Sequence, residues 1–488
     1  MRQRARHQIT RKRLQGRRQR LGWHAVMCLG AWGLSTLLCG GVLGVAAQTR
    51  LEPRVLSLEE AITLAVKNSP QVKEEQFGVL KLISQRAQAD AARFAQLEIT
   101  VVGGPSPRAR GDQISSPDSK TSPDITGMFG LATVSLVQPL YTFGKIDSLR
   151  EAAAHCIAVS KAQVNERATK VAMLVHEAYY GYLLATSLEN LALEIDDQLG
   201  STLAKTQRQL DSGAPGVDNI DLLKLQTFQG ELHKQLNDIR EGKALAQAGM
   251  HTLLNLDPAQ PIELVDKSLE PSERELGPLE QYVSDAQQLR PEFTQAREGV
   301  KAFEKLVDAA KADYYPVIFF GVFGSLAEAT NRDRVKNPFV YDRLNDSAIA
   351  PVLGVQWKLN LGITAGKVEE TEAELGKIQQ KQALAVQGIP FQVRQAYLEM
   401  QQHQANIEAT RKGFRSGRQW LVAASSNFDL GVGPGKDVAD AAVAYAKLRA
   451  GYFQSVYHYN LGFAKLDHMA GRDVARVEPL LPPPPRTH

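Results

Sequence analysis

The chain has 488 residues, enough for more than one ordinary domain or for one elongated architecture, with 57 Lys and Arg against 53 Asp and Glu. Its formal charge of +4 is confined to the amino end: residues 1–20 hold nine bases and no acid, and without them the balance is near −5, which removes the compositional support for nucleic-acid binding. Beyond residue 47 the sole cysteine is Cys156, so an internal disulfide framework is excluded as well.

In chain order, the basic head is followed by 27 uncharged residues, 21–47, that end in small side chains. This pattern reads as a secretory signal peptide, residues 1–47, cleaved after Ala47. The alternatives are an uncleaved anchor helix and a lipid anchor on Cys39. No later stretch is apolar for the ~18 residues of a membrane helix, so any mature membrane crossing must use strands. After a short extended segment, 48–56, a helical pattern runs from Ser57 to about Arg93, and Ser57 with Glu60 forms a capping box. Residues 97–104 then alternate as a strand, with Leu97, Ile99 and Val101 on one face. A polar Gly/Pro/Ser-rich segment (105–127) separates them from a second alternating run, 130–141, that ends at Pro139. There Val134, Leu136 and Gln138 share one face, and Ser135, Val137 and Pro139 the other. A proline-free helical segment follows from Asp147 to about Leu210, ~95 Å long at 1.5 Å per residue. A Gly-rich loop and a returning helix, Asp218 to about Leu256, complete the unit.

The whole layout recurs. LEEAITLAVKNSPQV (58–72) lies over LEQYVSDAQQLRPEF (279–293) at an offset of 221, and VSLVQPL (134–140) over VQWKLNL (355–361). Gly144-Lys145 matches Gly366-Lys367, and LDSGAPGVDNID (210–221) matches FDLGVGPGKDVAD (428–440). The repeats are therefore expected at 57–270 and 271–470, with a Pro-rich tail at 471–488. The second carries strands at 317–326 and 350–361 and a long helix from Lys367 to about Phe428, which Pro390 should kink or interrupt. Strands of about ten residues suit a tilted membrane strand of ~9–11 residues, while two soluble hairpins have the same length. The two short helices of each repeat, end to end, match the long one, which predicts antiparallel rods with strands at one end and glycine loops at the other.

The loop at 428–441 has a superficial phosphate-binding look. A P-loop needs four residues between its glycines and Ser or Thr after the Lys. Here Gly431 and Gly435 have three residues between them, and Asp437 follows Lys436, so phosphate binding is set aside. His155 and Cys156, being adjacent, point to different helix faces, the other histidines show no metal-ligand spacing, and no nucleophile constellation stands out. Neither an enzyme, a metal nor a cofactor is expected. Tyr179, Tyr180 and Tyr182 are expected to pack.

These features resemble the TolC-like outer-membrane efflux protein family over roughly residues 55–470. The resemblance rests on LSLEEAITLAVKNSP, the junction VQPLYTFGK, HEAYYGYLLA (176–185), the paired glycine tips and HTLLNLD (251–257). It implies a mainly α protein with membrane β: two tandem repeats of long antiparallel helical hairpins forming an α-barrel, and four strands per protomer in a trimeric 12-stranded β-barrel. The implied function is the outer-membrane exit duct of a tripartite efflux or type I secretion system in a Gram-negative bacterium, with a large periplasmic portion. The implied partners are a homotrimer, a periplasmic adaptor, an inner-membrane RND, ABC or MFS transporter and outer-membrane lipid. A periplasmic coiled-coil adaptor or scaffold is the alternative. By the same resemblance the glycine loops are periplasmic hairpin tips and adaptor contacts, with Gly213, Gly216, Gly431, Gly433, Gly435 and Lys436 at the turns. Asp437 and Asp440, with Asp218 and Asp221 as first-repeat counterparts, then line the tunnel entrance. An aspartate just after a Gly-rich turn is equally a natural helix N-cap, a role open to Asp437 and Asp218.

Overall fold

The computed structural model describes residues 54–109, 125–213, 218–335, 339, 341–360, 362–473 and 477, all within one unit, Leu51–His488. The expected signal segment, Gly216 and most of the Pro-rich tail lie outside these residues.

The first repeat opens with β1 (Arg54–Leu56) and α1 (Leu58–Asn68). The capping box forms: the Glu60 backbone N–H donates to Ser57 Oγ at 3.3 Å, and the Ser57 N–H donates to Glu60 Oε2 at 3.0 Å. The single helix expected from Ser57 to Arg93 is instead two, because Pro70 cannot donate and restarts the chain as N1 of α2 (Pro70–Ala91), with Ser69 as its cap. Next come β2 (Gln96–Pro107) and β3 (Ile125–Tyr141), then α3 (Lys145–Asp211), α4 (Asn219–Leu254) and β4 (Ile262–Leu264). β1 and β4 pair in parallel. The second repeat supplies α5 (Leu279–Leu289), α6 (Pro291–Lys311), a 3-10 turn at Ala312–Tyr314, β5 (Val317–Ala329), β6 (Ser347–Gln356), α7 (Ile363–Asp429) and α8 (Gly435–Ala470).

The repeat is real but its register is not constant. The offset of 221 holds from α1/α5 through the starts of α2/α6 and β2/β5. It falls to 218 at the long helices, both of 67 residues, and to 216 at α4 and α8, both of 36 residues. Helix length is kept and the loops absorb the change. Gly144 is therefore matched by Gly362 rather than Gly366: both N-cap a long helix in the left-handed region, at φ +83° and +84°, where a side chain would be strained. Residues 357–360 lie beyond β6, and Trp357 Nε1 donates to Tyr314 O at 3.1 Å.

At 1.5 Å per residue α3 and α7 each extend ~100 Å. α3 packs against α2 and α6 near the sheet and against α4 and α8 further away, and α7 packs against α6 and α8. α7 runs unbroken through Pro390, contrary to the expected interruption. Ile389 and Val393 are buried on one side, and Val386, whose carbonyl loses its partner, is exposed on the other, where solvent reaches the freed group. The main core gathers Val171, Val175, Tyr179 and Leu183 of α3, Val393 and Met400 of α7, and Val456 and Leu466 of α8 around α1, α5 and the β1/β4 pair. Tyr179 is fully buried and donates to Asp266 Oδ2 at 2.6 Å, a packing role as expected. At the sheet end Asp313, in the 3-10 turn, binds Lys145 of α3 and, at 3.0 Å, Lys367 of α7, so one carboxylate ties the heads of both long helices.

The sheet is antiparallel in the order β2-β3-β5-β6. β3 is longer than expected and passes Pro139, which sits at a register irregularity before Tyr141. Cross-strand rows separate the two faces. One face carries Leu97–Leu136–Val322–Pro351 and Ile99–Val134–Gly324–Ile349. The other carries Glu98–Ser135–Phe323–Ala350 and Thr100–Thr133–Ser325–Ala348. The first face is apolar yet open: Leu97, Ile99, Ile349, Leu353 and Val355 are all exposed. The outer edges of β2 and β6 have no strand partner among the described residues.

Candidate functional site

The far ends of the helices meet in one cluster, where α3 turns into α4 and α7 into α8. Both turns use glycine where φ must be positive, Gly213 at +70° and Gly431 at +75°. After α7 the chain closes a Schellman motif: the Gly431 N–H donates to Phe428 O at 3.1 Å and the Val432 N–H to Asn427 O at 3.0 Å. Gly433 and Gly435 serve closeness instead. A Cβ on Gly433 would stand 3.1 Å from Asn427 Cβ, and one on Gly435 would stand 2.8 Å from Thr206 Oγ1 on α3.

The aspartates divide by position. Asp218 is the N-cap of α4, its carboxylate accepting from the Ile220 N–H at 3.4 Å. Asp437 is not a cap; Pro434 holds that place, and Asp437 is the third residue of α8 with an exposed side chain. Its counterpart by helix position is Asp221, the third residue of α4, which is buried and lies 4.0 Å from Lys436 Nζ. The sixth residues are Asp440 and Lys224, and these two bond each other at 2.8 Å. The pairing of Asp218 and Asp221 with Asp437 and Asp440 is thus displaced, since the first-repeat loop is the longer by helix bounds.

Lysines bind one repeat's tip to the other. Lys205 of α3 donates to Phe428 O at 3.3 Å, Asp429 O at 3.4 Å and Asp429 Oδ1 at 2.9 Å, and lies 4.7 Å over the Phe428 ring. It thereby satisfies the last carbonyls of α7 and opposes the negative end of that helix. Beneath, Phe428, Val438 and Ala441 form one apolar cluster, and Ile195, Leu199, Leu225, Ala442 and Tyr445 form another. The buried face of α8 fixes the opposite face, carrying Asp437 and Asp440, toward the surface. Sequence reasoning missed Lys205 and Lys224; the equal helix lengths that set Lys224 against Asp440 were the available signal. Among the described residues no group of three or more His, Cys, Asp or Glu could hold a metal, and no helix is long and apolar enough to cross a membrane. His155 pairs with Glu298 at 2.7 Å.

Residues 282–472 match the family described as Outer membrane efflux protein. Protein CyaE of Bordetella pertussis is 25% identical over 265 residues, 54% of this chain and 53% of that one, so the match spans about half the length of the curated relative. Among solved structures, the outer membrane protein VceC of Vibrio cholerae superposes with a TM-score of 0.69 at 18% identity, covering 85% of this chain and 96% of its own. The CmeC outer membrane channel of Campylobacter jejuni gives 0.68 at 14% identity, covering 85% of each. The fold is that of the outer-membrane channels. The resemblance to the TolC-like efflux family is borne out, with that family's sequence pattern lying in the second repeat.

Proposed function

We propose that the chain is a passive exit duct in the outer membrane of a Gram-negative bacterium, with a large periplasmic portion and no enzymatic activity. The sheet carries this reading: four strands with an exposed apolar face and two open edges are neither a soluble hairpin pair nor stable alone in lipid. Backbone groups at an open edge have no partner in hydrocarbon, so the sheet must close. Three copies, β6 of one against β2 of the next, close it as a barrel of twelve strands, with the more polar face, which carries Glu98, Thr100, Thr133 and Ser325 beside Phe323, inside. The helices then continue the lumen as a periplasmic tunnel whose entrance is the tip cluster. A periplasmic adaptor docks there and couples the duct to an inner-membrane RND, ABC or MFS transporter, in an efflux or type I secretion system. A scaffold or adaptor would leave the exposed apolar face of the sheet without purpose.

Threefold symmetry brings three copies of Asp437, and of Asp440 with its Lys224, around the entrance. Rings of carboxylates select cations. The test is fractionation followed by electrophoresis without heating and planar-bilayer recording. A heat-sensitive trimer in the outer membrane that conducts ions supports the proposal; recovery of the whole chain as soluble periplasmic protein would sink it.

A further inference from the structure

The apolar face of the sheet ends at its junction with the helices, and the boundary is chemically distinctive. Phe94, Leu140, Tyr141, Tyr315 and Trp357 are all exposed there. Tyr141 stands edge-on to Phe143 at 4.7 Å, which stacks on Tyr315 at 5.0 Å. Aromatic girdles of this kind mark the membrane–water interface of barrels.

Two adjoining clefts open at this level. One, of about 610 Å³, is lined by Asp90, Arg93, Phe94, Gln138 and Arg150; the other, of about 240 Å³, has Arg93, Leu140, Tyr141 and Asp147 in its wall. Arg93 belongs to both. Arg150 is already engaged, bonding Asp90 and, at 3.2 Å, Asp147. Gln138 is spent on the carbonyls of Arg93 and Pro139, at 2.7 and 2.8 Å. The Arg93 guanidinium has no hydrogen-bond or ion-pair partner among the described residues, only the more distant charge of Asp90. Asp147 keeps most of its carboxylate open, its side chain being 64% exposed. A free guanidinium and an open carboxylate thus share one cleft, directly below an apolar face and between aromatic rings.

We propose that this cleft binds the headgroup of a zwitterionic, primary-amine glycerophospholipid in the periplasmic leaflet. The proposal rests on the duct reading, which sets the apolar rows in hydrocarbon. The phosphate then lies level with Arg93, whose planar fork matches phosphate oxygens in pairs. The amine reaches Asp147, Phe94 and Tyr141 flank the glycerol, and the acyl chains lie along Leu97, Leu136 and Val322. Charge complementarity selects this occupant: an anionic headgroup without an amine would leave Asp147 opposed to it.

The experiment is native mass spectrometry of the purified, delipidated wild-type trimer with added phosphatidylethanolamine, phosphatidylglycerol, phosphatidylcholine or diacylglycerol. Phosphatidylethanolamine should be retained best, at up to one lipid per protomer, and inorganic phosphate should not displace it. Arg93→Gln should weaken retention of every phosphate-bearing lipid about tenfold, the size of one charge-assisted bond. Asp147→Asn should remove the preference for phosphatidylethanolamine over phosphatidylglycerol, and Lys81→Gln, which deletes a charge on exposed α2 surface, should change nothing. Equal retention by Arg93→Gln and wild-type trimers would overturn the site. So would diacylglycerol competing as well as phospholipid, or displacement by inorganic phosphate. Failure of the wild-type chain to form a membrane trimer would strike the duct reading, and is seen before any lipid is added.

Discussion

Placing an arginine in the sheet tests the face assignment most directly. Val134 lies in the row Ile99–Val134–Gly324–Ile349, and its neighbour Thr133 in the row Thr100–Thr133–Ser325–Ala348. The ~25 Å apolar band of a barrel takes about ten residues of a strand rising ~3.3 Å each at a tilt near 40°, which from the aromatic boundary near Gln138 reaches about Met128. Thr133 and Val134 lie near the middle of that span. An arginine at the midplane of the lipid face costs ~2–4 kcal/mol, falling to ~0–1 near the interface. Three copies make ~6–12 kcal/mol for a Val134→Arg trimer, comparable to the whole stability of a folded domain. Thr133→Arg points into water and should cost little. Leu136→Arg, two residues closer to the boundary, should fall between Val134→Arg and Ser135→Arg. The assay is the yield of heat-sensitive trimer in the outer-membrane fraction at matched expression. Equal yields for Val134→Arg and Thr133→Arg would refute the assignment of faces and, with it, the closed barrel.

At the tip, Asp437→Asn should reduce cation preference and block by divalent cations in planar bilayers, while Lys224→Ala, which frees Asp440, should increase both; unchanged selectivity in both would place the entrance elsewhere. Gly435→Ala should destabilise by ~1–3 kcal/mol through the contact with Thr206 Oγ1, and adding Thr206→Ala should recover most of it in thermal unfolding. Glu189 is held below its ordinary value of 4.5, first by its hydrogen bond from Lys243 and then by Arg240, so its stabilisation is complete above that value and is lost as pH falls through the lower, folded one. Wild type should therefore lose on the order of 1 kcal/mol relative to Glu189→Gln between pH 4.5 and strong acid, and parallel acid unfolding curves for the two would count against the pairing.

The duplication, the alternating strands and the glycine tips were legible in the sequence because each rests on local chemistry: period two, period 3.6, and turns needing positive φ. What escaped was long-range. Pro390 looks like a break by propensity, yet burial of Ile389 and Val393 holds the helix through it. Pro70 was the reverse case, a proline that begins a helix inside what read as one continuous pattern. The counterparts of Asp437 and Asp440 were displaced because similar glycine loops align by composition, whereas the helices align by length. Lys224 matches Asp440 only in that second register, and their bond connects residues 216 apart.

The carboxylate of Asp313, gripping Lys145 and Lys367, has a mechanical meaning. Its partners are the first residue of α3 and the fifth of α7, so it pins both long helices within their opening turns, at one end of two ~100 Å arms. A tilt of about 3° there carries the tips ~5 Å sideways, by the same helix rise. In a duct of the kind proposed, wide travel of the tips would therefore demand little rearrangement at the sheet.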